Sequence, residues 1–212
     1  MANSLRVVTE LRDSVATVRF DRPAERNPLS RKTLAELEAA LEGLNDVVTT
    51  VIFTGAEDVF ASGADIRELE ALDAEDALEF SQFGQHLFQR IADLPQVSIA
   101  AINGYCIGGA LDLALACDIR IAAASAIFAH PGARLGIITG WGGTQRLPRL
   151  IGRARALDLF LTTRRVTSEE ALGMGLVTAI ADPVWDHAFE LATQRIPTNS
   201  FGSSPRSPHR TP

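Results

Sequence analysis

The chain has 212 residues, 46% of them hydrophobic and 22% charged, with a formal net charge of −6. That size supports one substantial core and at most a small appendage. The acidic balance points away from nucleic acid and from anionic membrane surfaces as partners, and no apolar run is long enough to span a bilayer.

Residues 6–11 and 15–21 alternate in polarity and predict two strands around the turn Arg12-Asp13-Ser14. Asp21 to Pro28 is a polar loop broken by proline. Ser30 is a good N-cap for a helix over 31–45, with Leu34, Leu37, Leu41 and Leu44 at helical spacing. Residues 47–54, 97–102 and 119–123 are continuous apolar, β-branched runs, which predict buried parallel strands. Strands alternating with helices predict right-handed β-α-β crossovers and an α/β fold. A helix is expected after Ile66 and another over 74–94, ended by Pro95. Further on, helices are expected from Trp141-Gly-Gly-Thr144 through Arg149, over 153–161, and from the cap at Thr167 to about Gly173. Residues 176–180 read as a late strand and 182–196 as a last amphipathic helix. From Pro197 the chain has no acidic residue and no periodicity, which predicts a disordered tail over 197–212 behind a folded core over 1–196.

Cys106 and Cys117 stand in apolar surroundings, with neither metal-ligand spacing nor a disulfide framework. With no apolar run behind a positive charge at the amino terminus, a reduced, cytoplasmic setting and no metal are expected.

Chemistry concentrates in two glycine-containing turns. Residues 97–102 run as a strand into Asn103-Gly104, then reach Gly108-Gly109 and a helix that begins Gly109-Ala-Leu-Asp112. Ser62-Gly63-Ala64-Asp65 follows the strand at 47–54 in the same manner. Glycines at such turns let a ligand approach the backbone closely, and the first N–H groups of a helix have no partner within it. Taken alone, the Gly108-Gly109 turn fits an anion or oxyanion site as well as it fits a tight turn before a buried helix. Both turns are expected at the carboxyl ends of adjacent parallel strands, where open α/β sheets place their ligands. One N–H from each then converges on a single oxygen, an oxyanion hole worth roughly 3–4 kcal/mol per donor.

Three segments, Phe60-Ala-Ser-Gly-Ala-Asp-Ile66, Asn103-Gly-Tyr-Cys-Ile-Gly-Gly-Ala-Leu-Asp112 and Gly140-Trp-Gly-Gly-Thr-Gln-Arg-Leu147, together strongly resemble the crotonase superfamily of enoyl-CoA hydratases and isomerases. Arg164 to Val177 resembles the segment that follows them in that family. The resemblance covers residues from about 5 to 196. It implies a spiral of β-β-α repeats and an acyl-CoA thioester whose oxygen is held by the N–H groups of Ala64 and Gly109. It places Ala64, Asp65, Ile66 and Arg67 along the CoA moiety, Arg26 near its nucleotide end, and Gly132 and Trp141 at the acyl pocket. CoA is then part of the substrate and no separate cofactor is implied. A homo-oligomer built on trimers is implied too, weakened because the family's carboxyl-terminal helices are largely missing.

The family's two catalytic glutamates map to Asp112 and Gly132. The first keeps its carboxylate with about 1.5 Å less reach, one carbon–carbon bond. The second becomes a residue that exchanges no proton, so the two-glutamate hydration mechanism does not carry over. The readings that follow are an enoyl-CoA hydratase-like lyase; an isomerase, decarboxylase or thioester hydrolase using Asp112 alone; or a non-catalytic acyl-CoA-binding or truncated family member. His130, near the gap, has the side chain suited to switching charge near neutral pH and reads first as structural. Thr139 and Trp141 read as pocket wall, His86 as packing or surface, Asp65 as a support for its loop, and Arg146 as the partner of a carboxylate.

Overall fold

The computed structural model describes residues 6–194; the tail expected over 197–212 lies outside them. Ten strands and eight helices alternate along the described chain. One sheet has the order β1(Val7–Arg12), β2(Val15–Phe20), β3(Thr50–Gly55), β5(Val97–Ile102), β7(Ile119–Ala122), β10(Ala179–Ile180). Its β1–β2 pair is antiparallel and the rest are parallel. A second sheet, absent from the sequence reading, has the order β4(Val59–Ala61), β6(Tyr105–Ile107), β8(Ile127–Ala129), β9(Val166–Thr167), parallel except for the last pair. Each of β4, β6 and β8 follows a strand of the first sheet, which gives the β-β-α spiral its repeat.

The helices are α1(Arg31–Glu42), α2(Ile66–Glu70), α3(Ala74–Ala92), α4(Gly109–Ala116), α5(Gly143–Ile151), α6(Arg153–Thr162), α7(Ser168–Gly173) and α8(Val184–Thr193). Ser30 caps α1 by accepting the Thr33 N–H, and Thr167 caps α7 by accepting the Glu170 N–H. Several bounds are shorter than expected. Helix α1 ends at Glu42 because Gly43 follows it, and β3 begins at Thr50, leaving Val47 exposed before it. The late strand shrinks to two residues because the Leu176 and Val177 N–H groups turn back to the Ala171 carbonyl.

The main core lies between the first sheet, α1, α3, α4 and the second sheet, with Phe20, Leu34, Leu37, Phe53, Phe60 and Phe88 fully buried. Helix α8 covers the other face of the sheet, on Val15, Ile52, Ile99 and Ile121. Helix α4 is buried along its length. Its carboxyl end is held by Arg120, whose guanidinium donates to the carbonyls of Ala114, Cys117, Asp118 and Leu176. Burial lowers the Arg120 pKa, but a guanidinium so placed stays charged. Among the described residues no helix is long and apolar enough to cross a membrane.

Candidate active site

The two turns of the sequence reading sit one strand further on than expected. They follow β4 and β6, adjacent parallel strands of the second sheet, and not β3 and β5 of the first. The convergence survives the change of sheet because β4 and β6 pair just as β3 and β5 do. Gly63 and Gly108 have φ of +84° and +60°, in the region that glycine tolerates best. The turns touch: a Cβ on Gly63 would stand 2.7 Å from the Ile107 carbonyl oxygen and 2.9 Å from the Gly109 nitrogen. Among the described residues neither the Ala64 N–H nor the Gly109 N–H donates to a protein acceptor.

Both turns open on a cavity of about 270 Å³, whose wall includes Ala64, Ile66, Gly109, Asp112, His130 and Gly132. Trp141 closes one side. Its indole lies directly over the Cα of Gly109 and of Gly84 on α3, so that a Cβ at either position would collide with the ring. Phe80 and Phe88 meet it edge-on, with centroids 5.3 and 5.4 Å away, and its Nε1 donates to the Phe80 carbonyl at 3.4 Å.

Asp112 is the carboxylate of this cavity, on the first turn of α4 and only 1% exposed. Its Oδ1 lies 3.2 Å from His130 Nε2, and its Oδ2 accepts a hydrogen bond from Thr139 Oγ1. A Cβ on Gly143, the first residue of α5, would run into Oδ1, so the amino end of that helix abuts the carboxylate. A helix amino end favours a negative charge beside it. The same charge reaches its neighbours. Burial pushes the Cys106 thiol well up and Asp112 adds to that, while Asp112 opposes the burial that lowers Arg146.

The other sequence candidates are distributed less tightly. Asp65 caps α2 through the Arg67 N–H and pairs with the Arg67 side chain at 3.6 Å, which fits support of its loop. Arg67 projects into solvent and lines no part of the cavity. Arg26 lines a separate cavity of about 780 Å³ with Arg134, Arg165 and Tyr105, its guanidinium 5.8 Å from the centre of the Tyr105 ring. Ser62 and Pro131 line both cavities, so the two adjoin. His86 is exposed on α3. Among the described residues Arg146 makes no ion pair with a carboxylate, contrary to expectation. It donates to the Trp141 carbonyl and to Gln89 Oε1, which anchors the loop that carries Trp141. Gly132 lines the cavity, and a Cβ there would stand 2.8 Å from the Ile137 carbonyl oxygen. A side chain at 132 therefore requires the 131–137 turn to shift.

Sequence reasoning missed that Asp112, His130 and Thr139 form one hydrogen-bonded cluster. It also missed the apolar lip of Leu135, Ile137 and Ile138, which are 51, 47 and 67% exposed and line the cavity mouth. The run Leu-Gly-Ile-Ile in a polar loop was the available signal for the lip.

An α/β spiral with two mixed sheets, carrying paired backbone donors over a cavity with a buried carboxylate, is a crotonase fold. Residues 10–200 match the family model described as enoyl-CoA hydratase/isomerase, and the chain belongs to that family. It is 40% identical over 180 residues to the crotonyl-CoA hydratase of Syntrophomonas wolfei, covering 84% of this chain and 69% of that protein. The short-chain-enoyl-CoA hydratase of Clostridium acetobutylicum is 40% identical over 180 residues with the same coverage. Among solved structures, an enoyl-CoA hydratase from Bacillus anthracis superposes with a TM-score of 0.84 at 37% identity, over 88% of this chain and 75% of that one.

Proposed function

We propose that this chain binds an acyl-CoA thioester and stabilises its enolate. The Ala64 and Gly109 N–H groups hold the thioester oxygen and Asp112 exchanges the α-proton. The observation that carries this reading is the contact of the two turns, whose unpartnered donors open on the same cavity as a buried carboxylate. In the step itself Asp112 accepts the proton from Cα, the C–H electron pair delocalises onto the thioester oxygen, and the two N–H groups take up the charge developing there. The CoA moiety then runs past Ala64, Asp65, Ile66 and Arg67. The adjoining cavity with Arg26, Arg134 and Arg165 supplies positive charge for its phosphates.

Gly132 favours a particular use of this enolate. Hydration by two carboxylates needs a second group to hold water against Cβ, and residue 132 offers none. Moving a double bond from C3 to C2 needs one base to take a proton from C2 and return it to C4, which Asp112 alone supplies. A 3-enoyl-CoA isomerase is therefore the preferred activity, and hydration of crotonyl-CoA the second. The reading extends to a homo-oligomer, supported by Leu150, Leu157, Leu161 and Leu172 exposed on α5, α6 and α7; sedimentation checks it.

The test is deuterium exchange at Cα of butyryl-CoA in D₂O, followed by mass spectrometry, beside turnover of 3-hexenoyl-CoA and crotonyl-CoA. Exchange with isomerisation outpacing hydration is expected. Absence of binding to any of the three thioesters by calorimetry sinks the reading.

A further inference from the structure

His130 lies at the end of β8, 4% exposed, with its ring edge-on to Phe160 at 5.2 Å between centroids and its Nε2 turned to Asp112 Oδ1. Thr139, further along the same connection between β8 and α5, reaches the other carboxylate oxygen. A buried carboxylate held at only one oxygen swings about its side-chain torsions. Held at both, it presents its remaining lone pairs in one direction, here the cavity. The charged and titratable groups that face Asp112 from the packed elements are His130 from the end of β8, Arg146 from α5 and Cys106 from β6. Of these, His130 alone makes a hydrogen bond to it.

We infer that His130 is a positioning residue for the proton exchange, holding the Asp112 carboxylate through an Nε2–H donor while Thr139 holds its second oxygen. The inference rests on the acyl-thioester reading for the identity of the step. It goes beyond that reading in assigning the site a second side chain, one that acts by holding Asp112 in place. The tautomer follows from the partner, since a carboxylate is acceptor-only and the ring nitrogen facing it must carry the proton. His130 therefore fixes the base and does not replace the water-holding group that residue 132 lacks.

Two measurements decide it. In the full chain with ¹⁵N-labelled histidine, the His130 Nε2 should be protonated, and Asp112→Asn should move that resonance more than those of the other histidines. An Nε2 without a proton, or one indifferent to Asp112→Asn, overturns the inference without any reference to activity. In the butyryl-CoA exchange assay, His130→Leu should lower kcat about 10–100-fold with KM within about twofold. His130→Gln, which keeps a donor nitrogen at similar reach, should recover most of that loss. Thr139→Val, at the less buried end of the cluster, should lower kcat about tenfold if His130→Leu fails to fold. Equal losses in the Leu and Gln variants, or a loss confined to KM, mean that His130 only packs. If the native chain exchanges no α-proton, the acyl-thioester reading fails while the NMR arm still decides whether His130 holds Asp112.

Discussion

The two walls of the cavity are built on opposite principles. One wall is the Gly63–Ala64 turn, the start of α4, and Trp141. There Asp112 is 1% exposed, Gly63 and Gly109 are packed too tightly to accept a Cβ, and every neighbour constrains the next. The other wall is Leu135, Ile137 and Ile138 with Ile66 across the mouth, large apolar side chains that are 47–67% exposed. The first wall can place a donor or a carboxylate to the fraction of an ångström that proton transfer requires. The second can cover apolar chains of varied length, because nothing fixes it closely. On the proposed acyl-thioester function, chemistry and chain recognition fall to regions packed to different degrees.

Substitutions can break that contrast. The largest effects belong on the rigid wall. Asp112→Asn should reduce α-proton exchange about 10²–10⁴-fold while leaving thioester affinity within a few-fold, because general-base catalysis is lost and the donors remain. Gly109→Val drives a side chain into Trp141 and displaces the second donor, so calorimetry should find acyl-CoA affinity down at least about 100-fold. Trp141→Ala should cost about 3–5 kcal/mol in urea unfolding, as for other buried aromatics. The apolar lip should respond differently. Ile138→Asp should raise KM for hexenoyl-CoA about tenfold, since covering an isoleucine is worth about 1.5–3 kcal/mol, and it should shift the unfolding midpoint hardly at all.

The smallest effect tests the rigid wall from behind. Cys117 follows α4, and burial pushes its thiol from 9.0 up to about 12. A thiol raised in the folded state contributes its full stability below the unfolded value and loses it as the pH climbs through the folded one. Urea midpoints should therefore fall between about pH 9 and about pH 12. The slope should be at most about 1.4 kcal/mol per pH unit from this thiol, and Cys117→Ala should flatten it. Cys106, raised by burial and by Asp112, adds in the same direction, so the flattening is partial.

Much of the fold was legible because its signals are local. The leucines of α1, the caps at Ser30 and Thr167, and the apolar run of β5 each mark an element by periodicity or composition. The second sheet was not, because β4, β6 and β8 have three residues each and β9 two. Strands that short show no alternation, and their pairing joins residues far apart in sequence. The same distinction holds for the site. Ala64, Gly109 and Asp112 lie on motifs, and the structure brings them to one cavity. The bonds from His130 and Thr139 to Asp112 depend on where the 130–142 loop returns in space, and nothing in their spacing shows it. Arg146 was misjudged for that reason, having turned toward the Trp141 carbonyl and the side-chain amide of Gln89 on α3.

Trp141 and the two glycines beneath it carry a further consequence. Gly84 belongs to α3, Gly109 to α4, and the indole fills the gap between them. The sizes of residues 84, 109 and 141 are therefore one shared variable. A chain that trades the tryptophan for a small residue gains an indole-sized chamber beside the Ala64 and Gly109 N–H groups, and a larger residue at 84 can then take up part of it. Remodelling of this cavity for bulkier acyl groups has a natural starting point in that triplet, where one exchange enlarges the chamber and a second tunes how much of it stays open.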